Sequence, residues 1–230
     1  MPQSTEKSPE ADAPSDRIRA RLLDAILALA GEEGWTKAAM DRAGKAAGLS
    51  EGEVELAAPN GVRDLMEAHS RRVAKAVHDG LVAADLTGIK IREKVRRGVL
   101  AYLAELEPHK AAVKRASGSP LGAANGPTSL WQAADAIWSG LGDTSTDGNW
   151  YSKRLILSGV IGSTTLVWLG ADDREAVESF LDRRIENVMQ FEKAKAETKQ
   201  GFEKTVDSLA QIFPGFGGKR PDGGEGAGQS

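Results

Sequence analysis

From Asp16 onward apolar residues recur three and four positions apart, and Ile18, Leu22, Leu23, Ile26, Leu27 and Leu29 trace one face of a helix. Ser15 or Asp16 is placed to cap it, and Gly31 to Gly34 stops it. After Trp35 the spacing predicts a short helix capped by Thr36 that runs through Ala39, Met40 and Ala43 to Ala47. Gly48 breaks it, and a third short helix begins at Ser50. Beyond Gly61, the residues Leu65, Ala68, Val73, Val77 and Leu81 predict a long helix with Arg63, Arg71, Arg72 and Lys75 mostly outside. Gly88 separates it from a helix over about Ile89 to Glu107, which buries Ile91, Val95, Val99, Leu100, Leu103 and Leu106. Pro108 ends that helix or starts its successor, a short one reaching Ala116. Ser117 to Thr128, rich in Gly, Pro, Ser and Asn, reads as an irregular connection. Three more helices are expected at Leu130 to Leu141, Trp150 to Leu169 and Ala171 to about Lys195, the first two flanking the polar turn Gly142 to Asn149. No segment alternates strictly enough for a strand and no repeat is visible, so the pattern predicts an all-α helical bundle of about nine helices.

One further stretch carries a strongly apolar face. Phe202, Val206, Leu209, Phe213 and Phe216 recur at helical spacing with Ile212 beside them, while Lys199, Glu203, Lys204 and Asp207 lie elsewhere. The pattern suits a helix lying on a membrane surface or docked on a partner or on the chain's own body. Bulky phenylalanines beside Lys219 and Arg220 favour the bilayer, with the segment Ala194 to Gln200 as tether. The Gly-rich residues 217–230 are expected to be disordered, as are residues 1–15.

Composition narrows the function classes. The 230 residues carry a net charge of -3 and no cysteine, which excludes a disulfide framework, a thiolate metal site and a thiol nucleophile. Met1 to Asp16 has no apolar stretch and carries Glu6, Glu10, Asp12 and Asp16, unlike a secretory signal or a basic transit peptide, so a bacterial cytoplasmic location is expected. His69, His78 and His109 are preceded three positions earlier by Met66, Lys75 and Leu106, so none has the Glu-x-x-His spacing of a di-iron bundle, and all three read as surface or helix-end histidines. No Gly-x-Ser-x-Gly elbow is present. Gly217-Gly218-Lys219 fails as a phosphate loop, because Arg220 replaces the Ser or Thr and Phe213 the first Gly. Asp172, Asp173 and Glu175 are suited to a helix start and not to an acid and base pair. The expectation is a protein with no catalytic residues, no metal and no cofactor.

The order helix, Gly-Trp turn, short helix, Ala47-Gly48-Leu49-Ser50, short helix resembles the helix-turn-helix of the TetR repressor family. A working recognition helix sets cationic or hydrogen-bonding side chains against phosphates and base edges. Here the helix reads Glu51, Gly52, Glu53, Val54, Glu55, Leu56, Ala57, Ala58, three carboxylates that repel a polyanion, while Lys37, Arg42 and Lys45 before it read as a solvated face. Residues 16–60 are therefore expected to be a degenerate helix-turn-helix that packs and binds no nucleic acid. The alternative, a TetR-like ligand-responsive transcriptional regulator, predicts salt-sensitive binding to specific DNA.

The most distinctive string is Asp143-Thr144-Ser145-Thr146-Asp147-Gly148-Asn149-Trp150-Tyr151, followed by a helix carrying Leu155, Ile156, Val160, Ile161, Leu166, Val167 and Trp168. Together with Gly34 to Thr36 and Gly48-Leu49-Ser50, it closely resembles the coenzyme Q biosynthesis protein nine family, over about Ile18 to Lys195. The resemblance implies a TetR-like fold, usually homodimeric, that has lost DNA recognition. It also implies a pocket for a lipid or isoprenoid quinone intermediate, bound as ligand and presented at the membrane surface to the di-iron demethoxyubiquinone hydroxylase. Such a protein is expected to associate peripherally with the inner membrane. Asp147, Trp150 and Tyr151 match the family's partner patch. On their own terms, the two aromatics beside a polar turn suit either a protein contact or closure of the core. Leu155, Ile156, Val160, Leu166, Val167 and Trp168, with Trp131, Ile137 and Trp138 on the preceding helix, are the lipid-pocket candidates, core and dimer packing being the competing uses. The expected division is 61–195 as a lipid-binding and dimerisation body and 196–216 as an amphipathic membrane-docking helix whose contacts are Phe202, Val206, Leu209, Ile212, Phe213 and Phe216.

Overall fold

The computed structural model describes residues 13–146 and 148–197, with side chains through Gln190. These residues form α1 (Pro14–Glu33), α2 (Lys37–Ala46), α3 (Glu51–Ala57), α4 (Val62–Ala83), α5 (Ile91–Leu106), a 3-10 turn (Glu107–His109), α6 (Lys110–Ser117), α7 (Pro120–Gly140), α8 (Gly148–Gly170) and α9 (Arg174–Glu197), and among them there is no strand. The described residues fall into two units, the second beginning at Asn187. Of the second, the described part is the end of α9; the predicted membrane contacts Phe202 to Phe216 lie outside the described residues.

The first three helices follow the pattern closely. Thr36 caps α2 by accepting from the Ala39 amide, and Ser50 caps α3 in a capping box closed by Glu53. Gly48, at φ 65°, turns the chain between them, a conformation that a side chain resists. Gly44 lets the two helices touch, since a Cβ there falls 2.6 Å from the Val54 side chain. Gly44→Ala is therefore expected to destabilise by about 1–3 kcal/mol through overpacking, measurable as a lowered urea midpoint. Leu22, Leu23, Ile26, Leu27 and Ala30 of α1 bury against Met40, Ala43, Leu49 and Ala57, but the same core continues to Leu65 of α4 and Ala112 of α6. Trp35 joins it through an indole hydrogen bond to the Ala112 carbonyl at 3.0 Å. At the start of α1 the expected Ser15 or Asp16 cap is not made: Ala13 is the N-cap without a side-chain bond, Pro14 opens the helix, and Asp16 pairs with Arg19.

The largest departure is Ser117 to Thr128, which is not an irregular connection. Helix α7 starts at Pro120, with Ser119 accepting from the Gly122 amide, and continues through Pro127. Proline at the first position loses no helical bond, and packing on α4 and α6 holds a segment whose Gly and Pro content opposes a helix. Met66 meets Asn125, the Ser70 and Ser129 hydroxyls bond at 2.8 Å, and Gly140 lies against His78, so α4 and α7 run parallel. Helix α8 returns antiparallel to α7: Ser158 donates to the Leu130 carbonyl and the Trp138 indole to the Lys153 carbonyl. Helix α9 is tied to α5 by Arg96, which reaches Asp182 and Glu178 at 2.8 Å each, and by Arg92 on Glu186.

Candidate functional site

Two pairs of residues, each four apart and so on one helix face, meet where α7 and α8 come together: Trp131 with Asp135, and Trp150 with Arg154. The Arg154 side chain is only 3% exposed, yet it is paired twice, to Asp135 at 2.5 Å and to Asp143 at 3.2 Å. Its guanidinium also donates to the Trp150 carbonyl and stacks 4.2 Å from the Trp150 ring centroid. Asp143 is held by the end of α7, its amide bonded to the Trp138 carbonyl. Its carboxylate accepts from Lys153 at 2.7 Å and from the Ser145 hydroxyl at 2.5 Å. Burial alone pushes the Asp143 carboxyl up, but the bonds from Lys153, Ser145 and Arg154 overcome it and bring the pKa down to about 2. The carboxylate is thus ionised throughout the physiological range.

On this ionic base sits an aromatic cluster. The Trp131 ring lies 5.7 Å from Trp150, steeply tilted, and 5.0 Å from Tyr151. All three are half-buried. Trp131, expected in the apolar pocket, is thereby grouped with the predicted partner residues. Asp147, the third of those, lies outside the described residues.

The other pocket candidates differ in burial and in what they touch. Ile137 is fully buried against Gly98 of α5. Trp138 is fixed by its indole bond to Lys153, whose ammonium lies 5.3 Å from the ring centroid. Trp168 is 5% exposed and donates to Glu107 at 2.7 Å. Leu155 and Val160 are buried, Ile156 and Val167 half-buried, and Leu166 is exposed to 67%.

His69 corrects the expectation that the histidines lie at the surface or at helix ends. It is 8% exposed, edge-on to His109 with centroids 5.7 Å apart, and neither ring nitrogen has a hydrogen-bond partner. Burial first, then the charges of His109 and Arg72, lower its pKa to about 4. In the helix-turn-helix, Lys37 bonds Asp41 and Arg42 pairs with Glu33, as a solvated face does, while Glu51 and Glu55 of α3 are exposed.

The fold and this site define an all-α protein of TetR-like architecture whose third helix is acidic. A TetR-family transcriptional regulator from Streptomyces coelicolor superposes with a TM-score of 0.52 at 19% identity, covering 86% of this chain and 88% of that one. The family that the chain resembles is COQ9, whose model matches residues 123–192, from α7 to most of α9. The rat mitochondrial ubiquinone biosynthesis protein COQ9 is 28% identical over 222 residues, 90% of this chain and 71% of the relative. The bovine protein of that name is 27% identical over 84% of this chain, and the human one 25%. The chain spans 64% of the length of each of these last two.

Proposed function

We propose that this chain is a non-enzymatic, lipid-binding accessory protein of ubiquinone biosynthesis. It takes an isoprenoid quinone intermediate or another lipid into an apolar pocket and presents it to the demethoxyubiquinone hydroxylase at the membrane. The observation that carries this reading is the match of residues 123–192 to the COQ9 model, because those residues hold the Trp131, Trp150 and Tyr151 cluster and its ionic base. The relatives' names support the ubiquinone pathway, and the acidic α3 speaks against the DNA-binding regulator that the fold alone admits. The half-buried aromatics form the contact with the hydroxylase, since rings beside a polar turn bury much area with few rotamers to fix. The relatives are named mitochondrial; the location proposed for this chain is the cytoplasmic face of a bacterial inner membrane, where it acts as a peripheral homodimer.

The test is a deletion strain analysed for quinones, together with lipid extraction and mass spectrometry of the purified protein. Accumulation of the demethoxy precursor and a co-purifying isoprenoid lipid are the expected results. Normal ubiquinone with no precursor defeats the proposal. Docking to the membrane is assigned to residues 202–216, whose apolar face is read from the sequence. In flotation with anionic vesicles the full chain is expected to rise with the lipid, and a variant ending at Gly201 to stay at the bottom.

A further inference from the structure

We propose that Asp143 is a positioning residue for the aromatic contact surface, acting through Arg154 to hold Trp150 against Trp131. The inference rests on the reading of that cluster as the partner contact. Two carboxylates from different segments grip one guanidinium: Asp135 on α7 and Asp143 in the turn that follows it. A planar cation held by two carboxylates is fixed in place, and here its Cζ lies over the Trp150 ring, 4.2 Å from the centroid. The same guanidinium bonds the Trp150 carbonyl at 3.2 Å, so ring and backbone are set together. Trp131 stands one helical turn before Asp135 and completes the cluster from the facing helix. Asp143 itself is 8% exposed by side chain and is shielded by Lys153 and Ser145. It therefore sits beneath the surface that it arranges, with little of it open to a partner.

A double-mutant cycle separates positioning from direct contact. The full chain is titrated against purified demethoxyubiquinone hydroxylase, using the wild type, Asp143→Asn, Trp150→Ala and the double variant. Trp150→Ala is expected to weaken binding more than about tenfold, as removal of a central aromatic anchor does, and Asp143→Asn by about tenfold through loss of the preset geometry. The double variant should bind as Trp150→Ala alone, because a group that acts only through Trp150 has nothing left to position. Near-ultraviolet circular dichroism supplies a readout without the partner. The tryptophan bands should diminish in Asp143→Asn and be unchanged when the same substitution is made in a Trp150→Phe background. Arg154→Lys, which keeps the charge but lacks the planar face, should show the same spectral loss. It serves as the second variant if Asp143→Asn fails to fold. An Asp143→Asn protein with wild-type tryptophan bands overturns the inference, as does a full additional tenfold loss in the Trp150→Ala background. If Trp150→Ala binds the hydroxylase as the wild type does, the contact-surface reading fails instead, and the dichroism result still decides whether Asp143 positions the ring.

Discussion

An Arg154→Met variant is expected to lose about 3 kcal/mol of folding stability, read as a lower urea midpoint at unchanged slope. Methionine retains much of the apolar stem, so packing changes little and the loss isolates the guanidinium. Removing one partner of a buried ion pair leaves the other charge uncompensated away from water, which typically costs about 3–5 kcal/mol. The low end applies because Asp143 keeps Lys153 and Ser145, and because Asp135 is 46% exposed and regains water. Adding Asp143→Asn to Arg154→Met should cost less than the sum of the two single losses, since the Arg154–Asp143 pair is then already broken. A loss below about 1 kcal/mol, the size typical of an exposed pair, would mean that the guanidinium is better hydrated than its burial indicates.

The second large effect is acid lability from His69. The folded ring titrates at about 4, while an unfolded histidine takes its proton near 6.5. Because the folded pKa is the lower, the unfolded chain binds the proton first. Stability is fully present above about pH 6.5, falls as the pH drops toward 4, and levels off below that. The contribution reaches about 3 kcal/mol at pH 4. The pH profile of the wild type minus that of His69→Leu isolates it from the carboxylates titrating in the same range, and parallel profiles would contradict it. At neutral pH the leucine variant should be as stable as the wild type or more so, because it removes two buried nitrogens without partners.

Both residues carried a signal in the sequence that the hydrophobic pattern alone does not score. His69 lies four after Leu65 and four before Val73, inside the stripe that continues to Val77, so helical spacing already placed it on the buried face. Arg154 stands four after Trp150 just as Asp135 stands four after Trp131, but which helix faces meet is decided by how α7 and α8 cross, and spacing within one helix is silent on that. The helices themselves were legible because most bury a single apolar stripe, and the Thr36 and Ser50 caps fixed two starts. The amino end of α7 was not, because Gly122, Gly126 and Pro127 lower local helix propensity and the segment is held by tertiary packing. The Trp150 and Tyr151 pair is marked by the family resemblance; Trp131 joins it only through the fold.

The hydrophobic core of α1 to α3 does not end with the helix-turn-helix but runs on through Leu65 and Ala112 into the helices beyond it. The outer surface of α3, by contrast, is a handful of exposed side chains, Glu51, Glu55 and Leu56 among them, that contribute little to that core. Substitutions on that surface therefore leave the fold standing, whereas deleting the three helices would strip the remaining bundle of one wall. The three helices thus serve as a wall of the bundle, whatever their outer surface touches.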